Sequence, residues 1–197
     1  MNKIFSFVIV VFILAGCGNK KIIPDVSGIP VTVKIERFDE AFFATDSNNI
    51  ADGLRKLNQQ YPYFFTDFTA NILGVGVLSD TSRSAFAATR QFLTTYLPVY
   101  DSLQQKFSHT DWLEKDLKKS FQFVKYYFPK YQLPQKVVTY IGPFDAPGVA
   151  ITPYALAIGL QLYAGKNFSF YTSMQGQEMY PSYISRRFEP EYITANC

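Results

Sequence analysis

The chain has 197 residues, 48% of them hydrophobic, with 19 basic and 16 acidic side chains and a net charge of +3. So mild a balance, with no dense basic patch, argues against a nucleic-acid partner. A single histidine excludes a histidine-rich zinc site built by this chain alone.

The start of the chain reads as an export signal. Lys3 supplies a basic start, Ile4 to Leu14 is apolar apart from Ser6, and small residues follow. The run falls short of the roughly 20 apolar residues that span a bilayer. An ordinary signal peptide or a short buried helix would explain that much. Leu14-Ala15-Gly16-Cys17 goes further, because it matches the bacterial lipobox at each position. Residues 1–16 are therefore expected to be removed, and the Cys17 thiol to carry diacylglycerol. Each buried methylene of an acyl chain adds about 0.8 kcal/mol, and two or more chains give a stable anchor. Cleavage takes Lys3 away, so the 19 basic residues become 18 against 16 acidic ones. With Cys17 committed to lipid, Cys197 has no intramolecular partner and no disulfide is expected.

Residues 17–30, with two prolines and two glycines after the lipidated cysteine, read as a tether, and residues 31–197 as a single domain. Val31 to Glu36 alternates apolar and polar, the period of a half-buried strand. Asp39 is placed to cap a short helical turn through Phe42 and Phe43. Asp46 or Ser47 is placed to cap a helix whose Ile50, Leu54, Leu57 and Tyr61 share a face. Tyr63 to Leu73 reads as helical and is broken by Gly74 and Gly76. Thr81 or Ser82 opens a helix ending near Pro98, with Val99 to Phe107 continuing after a kink. Asp111 to Phe128 is the clearest helix, with Asp111 and Glu114 as a capping-box-like start. Strands are expected at Lys136 to Ile141 and at Gly148 to Thr152, and a strand or hairpin at Ala155 to Tyr163. In the last, Leu156, Ile158, Leu160 and Leu162 share one face, and small residues on the other would let a helix or backbone approach. Tyr183 to Phe188 reads as a helical turn. Pro190 starts a further helix that stops at Cys197, as a short terminal helix or as a chain cut short. The fold class is α+β: a mostly helical half, then a small mixed or antiparallel sheet with short helices.

Chemistry-bearing patterns are sparse. His109 lies in a polar loop, and no Gly-x-Ser-x-Gly elbow or His-Glu-x-x-His helix is present. Asp145, in Gly142-Pro143-Phe144-Asp145-Ala146-Pro147-Gly148, is the most suggestive carboxylate, because a Pro/Gly loop after a strand can present a side chain accurately. It can equally organise the turn itself. Aromatic residues make up 17% of the chain. Phe168, Phe170, Tyr171, Tyr180 and Tyr183 form a non-periodic cluster, readable as a protein or glycan surface or as packing under loops. Tyr171 and Tyr183 are the candidate contact residues within it.

Several segments recur together in one known family. They are Val33-Lys34-Ile35-Glu36-Arg37-Phe38-Asp39, Leu57-Asn58-Gln59-Gln60-Tyr61-Pro62-Tyr63-Phe64, Tyr126-Tyr127-Phe128-Pro129, Ile158-Gly159-Leu160-Gln161-Leu162-Tyr163-Ala164-Gly165 and Tyr180-Pro181-Ser182-Tyr183-Ile184-Ser185-Arg186-Arg187-Phe188. With the lipobox, they make the mature chain resemble the gliding motility lipoprotein GldB of the Bacteroidetes. The resemblance implies a lipid-anchored envelope protein, at the outer membrane facing the periplasm. Its partners would be the bilayer, through acylated Cys17, and envelope proteins of the gliding and linked secretion machinery. Family chains extend farther, which implies a C-terminal truncation here. The family is distantly similar to predicted zinc-dependent proteases, in which a strand like Ile158 to Tyr163 precedes a His-Glu-x-x-His helix. Gln177-Glu178-Met179-Tyr180-Pro181 has no histidine, so no metal ligand carries over and no cofactor is expected. That analogy implies a degenerate metalloprotease-like fold. Contact without catalysis is the expected mode of action. The alternatives are a peptidase-like hydrolase whose catalytic residues are lost or lie beyond Cys197, and a lipoprotein that binds cell-wall glycan.

Overall fold

A computed structural model describes residues 23–78 and 83–197. The expected signal segment, Cys17, the first part of the tether and the helix start at Thr81 or Ser82 lie outside those residues. Strands β1 (Ile35–Arg37), β2 (Lys136–Tyr140), β3 (Val149–Ile151) and β4 (Ala155–Gly159) form a four-stranded sheet in the order β1-β2-β4-β3. β1, β2 and β4 run parallel, and β3 pairs antiparallel with β4. The sheet is mixed and three of its four strands follow a helical half, so the α+β class holds. β1 is shorter than the alternation from Val31 predicts. β2 begins only at Lys136, and Ile35 already faces Val137, so the residues before Lys34 have no strand to pair with. Val31 and Val33 still pack on the core.

The alternation in β4 sorts its side chains between two cores. Leu156 and Ile158 join Ile35, Val137, Leu103, Phe107, Leu113 and Leu117 on one face. Ala155 and Ala157 join Val138, Tyr140, Phe38, Phe42, Phe64 and Phe68 on the other. Parallel strands need long crossovers, and here the helices of the crossover from β1 to β2 cover both faces. The small face therefore meets a layer of aromatic rings. At Gly159 the approach is close enough that a Cβ would sit 2.5 Å from the Pro147 carbonyl oxygen. β4 ends there rather than at Tyr163, because β2 has ended opposite it at Tyr140, and Leu160–Leu162 coils into a 3-10 turn.

Helix α1 (Phe38–Phe43) starts from Arg37 without a side-chain cap, and Asp39 lies inside its first turn. Asp46 does act as a cap, accepting the Asn48 N–H at 2.8 Å, but for the 3-10 turn Ser47–Asn49 that leads into α2 (Ile50–Gln60). α3 (Phe64–Asp67) widens into a π turn at Phe68–Ile72, and left-handed Gly74 and Gly76 end the segment. α4 (Arg83–Phe107) runs on through Pro98. Its first half is held in the aromatic core by Leu93 and its second in the aliphatic core by Leu103 and Phe107. Pro98 lies between them on the exposed side, where a proline disturbs packing least. α5 (Asp111–Tyr127) starts from Thr110 without a side-chain cap, and no capping box forms. The Glu114 carboxylate instead accepts the Ile35 N–H at 2.8 Å, satisfying a backbone donor of the edge strand β1. The short helices α6 (Ser169–Thr172), α7 (Met174–Met179), α8 (Ser182–Ser185) and α9 (Ile193–Asn196) complete the C-terminal part.

One polar cluster ties these layers together. The Asp39 carboxylate is fully buried and accepts from Arg37 Nε at 3.0 Å, Arg37 Nη2 at 2.7 Å and Thr139 Oγ1 at 2.5 Å. The same guanidinium donates to the Phe107 carbonyl at 2.5 Å and pairs with Glu40 at 2.9 Å, so it also caps the C-terminus of α4. Asp39→Ala would leave Arg37 and Thr139 without their main acceptor. Removing one partner of a buried pair costs about 3–5 kcal/mol. Urea unfolding should show that loss, whereas Asp52→Ala, in an exposed helix pair with Arg55 and Lys56, should cost under about 1 kcal/mol. Equal midpoints for the two variants would refute this assignment.

Candidate functional site

The loop between β2 and β3 leaves the C-terminal end of the central strand, the end of a parallel sheet where sites are commonly built. Its backbone is held from several sides. The Gly142 N–H donates to the Gln161 side-chain oxygen at 3.1 Å, and the Gln161 amide nitrogen faces the Ala146 and Pro147 carbonyls at 3.5 and 3.4 Å. Tyr140 donates its hydroxyl to the Pro147 carbonyl as well. The Phe144 N–H donates to the Tyr96 hydroxyl at 3.1 Å, and the Tyr180 hydroxyl donates to the Phe144 carbonyl at 2.6 Å. The Phe144 ring lies flat on Phe170, centroids 3.7 Å apart. The Ala146 N–H closes the turn on the Pro143 carbonyl at 2.9 Å.

Held in this way, the loop turns Asp145 outward, exposed to solvent. Burial raises the pKa of the Tyr96 and Tyr180 hydroxyls, and the nearby Asp145 charge raises both further. Burial also pushes Tyr140 and Tyr171 upward. These phenols stay protonated at neutral pH and keep their hydrogen bonds. The arrangement presents the Asp145 carboxylate on a stiff support.

The other candidates separate. Tyr171 is 1% exposed, its ring among Phe144, Phe168 and Phe188, and its hydroxyl donates to the Gln161 carbonyl while accepting the Ala164 N–H. A side chain so enclosed has no surface to offer a ligand, and its place is beneath the loop as a strut. Tyr183, on α8, is 65% exposed and follows Tyr180, whose hydroxyl holds the loop. His109 is exposed in the bend between α4 and α5. Among the described residues no three His, Cys, Asp or Glu side chains gather as metal ligands. The residues overlooked in the sequence are Gln161 and Tyr96. A glutamine amid Leu160 and Leu162 was a signal, since a polar side chain in so apolar a stretch needs partners.

Gln161→Leu keeps the bulk but strips the Gly142 N–H and the Ala146 carbonyl of this partner, while the Pro147 carbonyl keeps Tyr140. An unsatisfied buried group costs about 1–3 kcal/mol. Amide exchange at Gly142 should accelerate to match, with α2 amides unchanged; an unaltered Gly142 rate would show that the loop is held otherwise.

Comparison with known proteins gives one match. The family model described as "Gliding motility protein GldB" fits residues 19–197. No curated protein and no solved structure matches the chain. A match over nearly the whole length places it: the chain belongs to the GldB family of gliding motility proteins.

Proposed function

We propose that this protein is a lipid-anchored component of the gliding and linked secretion machinery, working in the cell envelope by protein contact rather than catalysis. The observation that carries the reading is the family match across residues 19–197. The lipobox supplies the anchor, with acylated Cys17 holding the body at the outer membrane on the periplasmic side. The rigid loop supplies the contact, with Asp145 and Tyr183 facing outward as its first points of engagement. A stiff, charged presentation suits protein recognition, because a partner then loses little free energy in ordering it. In this reading Tyr171 contributes from beneath, by keeping the Gln161 end of the network in place.

The anchor is tested by Cys17→Ser. The variant should leave the membrane fraction as a soluble or mislocalised precursor, and unchanged fractionation would remove the basis of the proposal. The contact is tested by co-purifying the tagged, lipidated protein with the gliding machinery's envelope proteins. Wild type should recover them and Asp145→Lys should lose most of that recovery, while Asp52→Lys on α2 should not. Recovery of none by the wild type would sink the contact reading.

A further inference from the structure

We infer that the outer face and C-terminal tip of α5 form a second, reversible contact with an anionic lipid surface, beside the acyl anchor; this rests on Cys17 being lipidated. The core side of α5 carries Leu113, Leu117 and Phe121. Opposite them, at spacings of three and four, lie Lys115, Lys118, Lys119, Gln122 and Tyr126 on one stripe, whose middle, Gln122, is buried beneath the segment that precedes β1. The three lysines are exposed. The helix then ends in a group of aromatic side chains with little cover: Tyr126, Tyr127, Phe128 and Tyr131 are between 47% and 65% exposed. Lys125 and Lys130 sit among them. Beside Phe128 and Tyr131 an apolar recess of about 330 Å³ runs on to Ile151, itself largely exposed. Aromatic and aliphatic side chains flanked by lysines match the boundary between headgroups and acyl chains, where rings embed and ammonium groups stay with phosphates. Among the described residues no helix is long and apolar enough to cross a membrane, so the contact is with a surface.

The tether indicates which surface. Gln122 donates to the Ile29 carbonyl at 2.9 Å, and Val26 is buried. Ile23 to Ser27, Asp25 among them, share a recess with Lys115, Asp116, Lys118 and Lys119, so that three lysines face two carboxylates there. Six peptide steps separate Ile23 from Cys17, which reach at most about 22 Å in any conformation. The basic stripe is thus confined close to the lipid that carries the anchor. The tip also leads into β2 at Lys136, just as the tether leads into β1 at Ile35, and these strands are parallel. Tether and tip meet the sheet at the same end.

The test uses the lipidated protein in vesicles of phosphatidylcholine with phosphatidylglycerol, probed by hydroxyl-radical footprinting. Oxidation of Tyr126, Tyr127, Phe128 and Tyr131 should fall several-fold relative to exposed Met174 and Tyr183 in the same sample. The protection should fade in high salt, in pure phosphatidylcholine, and in the triple variant Lys115→Glu, Lys118→Glu, Lys119→Glu. Vesicle flotation separates the two claims. Protein that no longer floats defeats the anchor reading, whereas protein that floats with an unprotected tip overturns the docking alone. Protection seen only in intact cells would assign the tip to a protein partner, and equal protection on neutral vesicles would leave the lysines no part in it; either result overturns the proposal.

Discussion

The buried carboxylate of Asp39 is the constraint from which the rest of the architecture follows. Charge in the interior is tolerated only with a complete set of partners. Arg37 and Thr139 supply that set, one from β1 and one from β2. Because the guanidinium also holds the Phe107 carbonyl, the pairing of the two strands and the end of the longest helix are fixed together. β1 has only Ile35–Arg37 in the ladder, too few backbone bonds to fix its place unaided. The ion pair, with Glu114 on the Ile35 N–H, makes up for that shortness.

With β1 fixed, the sheet has two faces to bury and only short strands to bury them with. The aromatic helices α1 to α3 cover the face of small residues, and α5 with the second half of α4 covers the face of branched ones. Residue size thus decides which layer goes where. Ala155, Ala157 and Gly159 leave room for rings such as Phe64, Phe68 and Tyr140, which meet at edge and tilted angles. The same economy of space places the loop, since Gly159 lets the Pro147 carbonyl approach and so brings the loop under the Gln161 amide.

Much of this was legible in the residues. The alternation at Leu156 and Ile158, the stripe of α5 and the Asp46 cap each follow from local periodicity or local hydrogen bonding. What could not be read depended on contacts distant in sequence. Asp39 looks like a helix cap until Thr139, a hundred residues on, is brought beside it. Glu114 looks like part of a capping box until β1 offers an unpaired donor. Pro98 looks like a terminus until two separate cores are seen to grip the helix on either side of it. At the site, Asp145 stood out because Pro and Gly surround it, whereas Tyr171 and Tyr183 read alike. Only packing separates a ring enclosed by Phe144, Phe168 and Phe188 from one facing solvent.

The parallel pairing also gives the molecule a direction. The tether enters the N-terminal end of β1, while the loop bearing Asp145 leaves the C-terminal end of the neighbouring β2. Parallel strands put these at opposite ends of the sheet, a separation of at least about 3.3 Å for each strand residue between them. A lipid anchor alone leaves a body free to tumble on its tether, so a presented carboxylate would point in no fixed direction. A second contact at the tethered end would remove that freedom and turn the loop away from the bilayer. In the proposed reading, the stiffness built around Phe144 gains its value from such an orientation, because a rigid epitope saves binding free energy only when the body carrying it is also held.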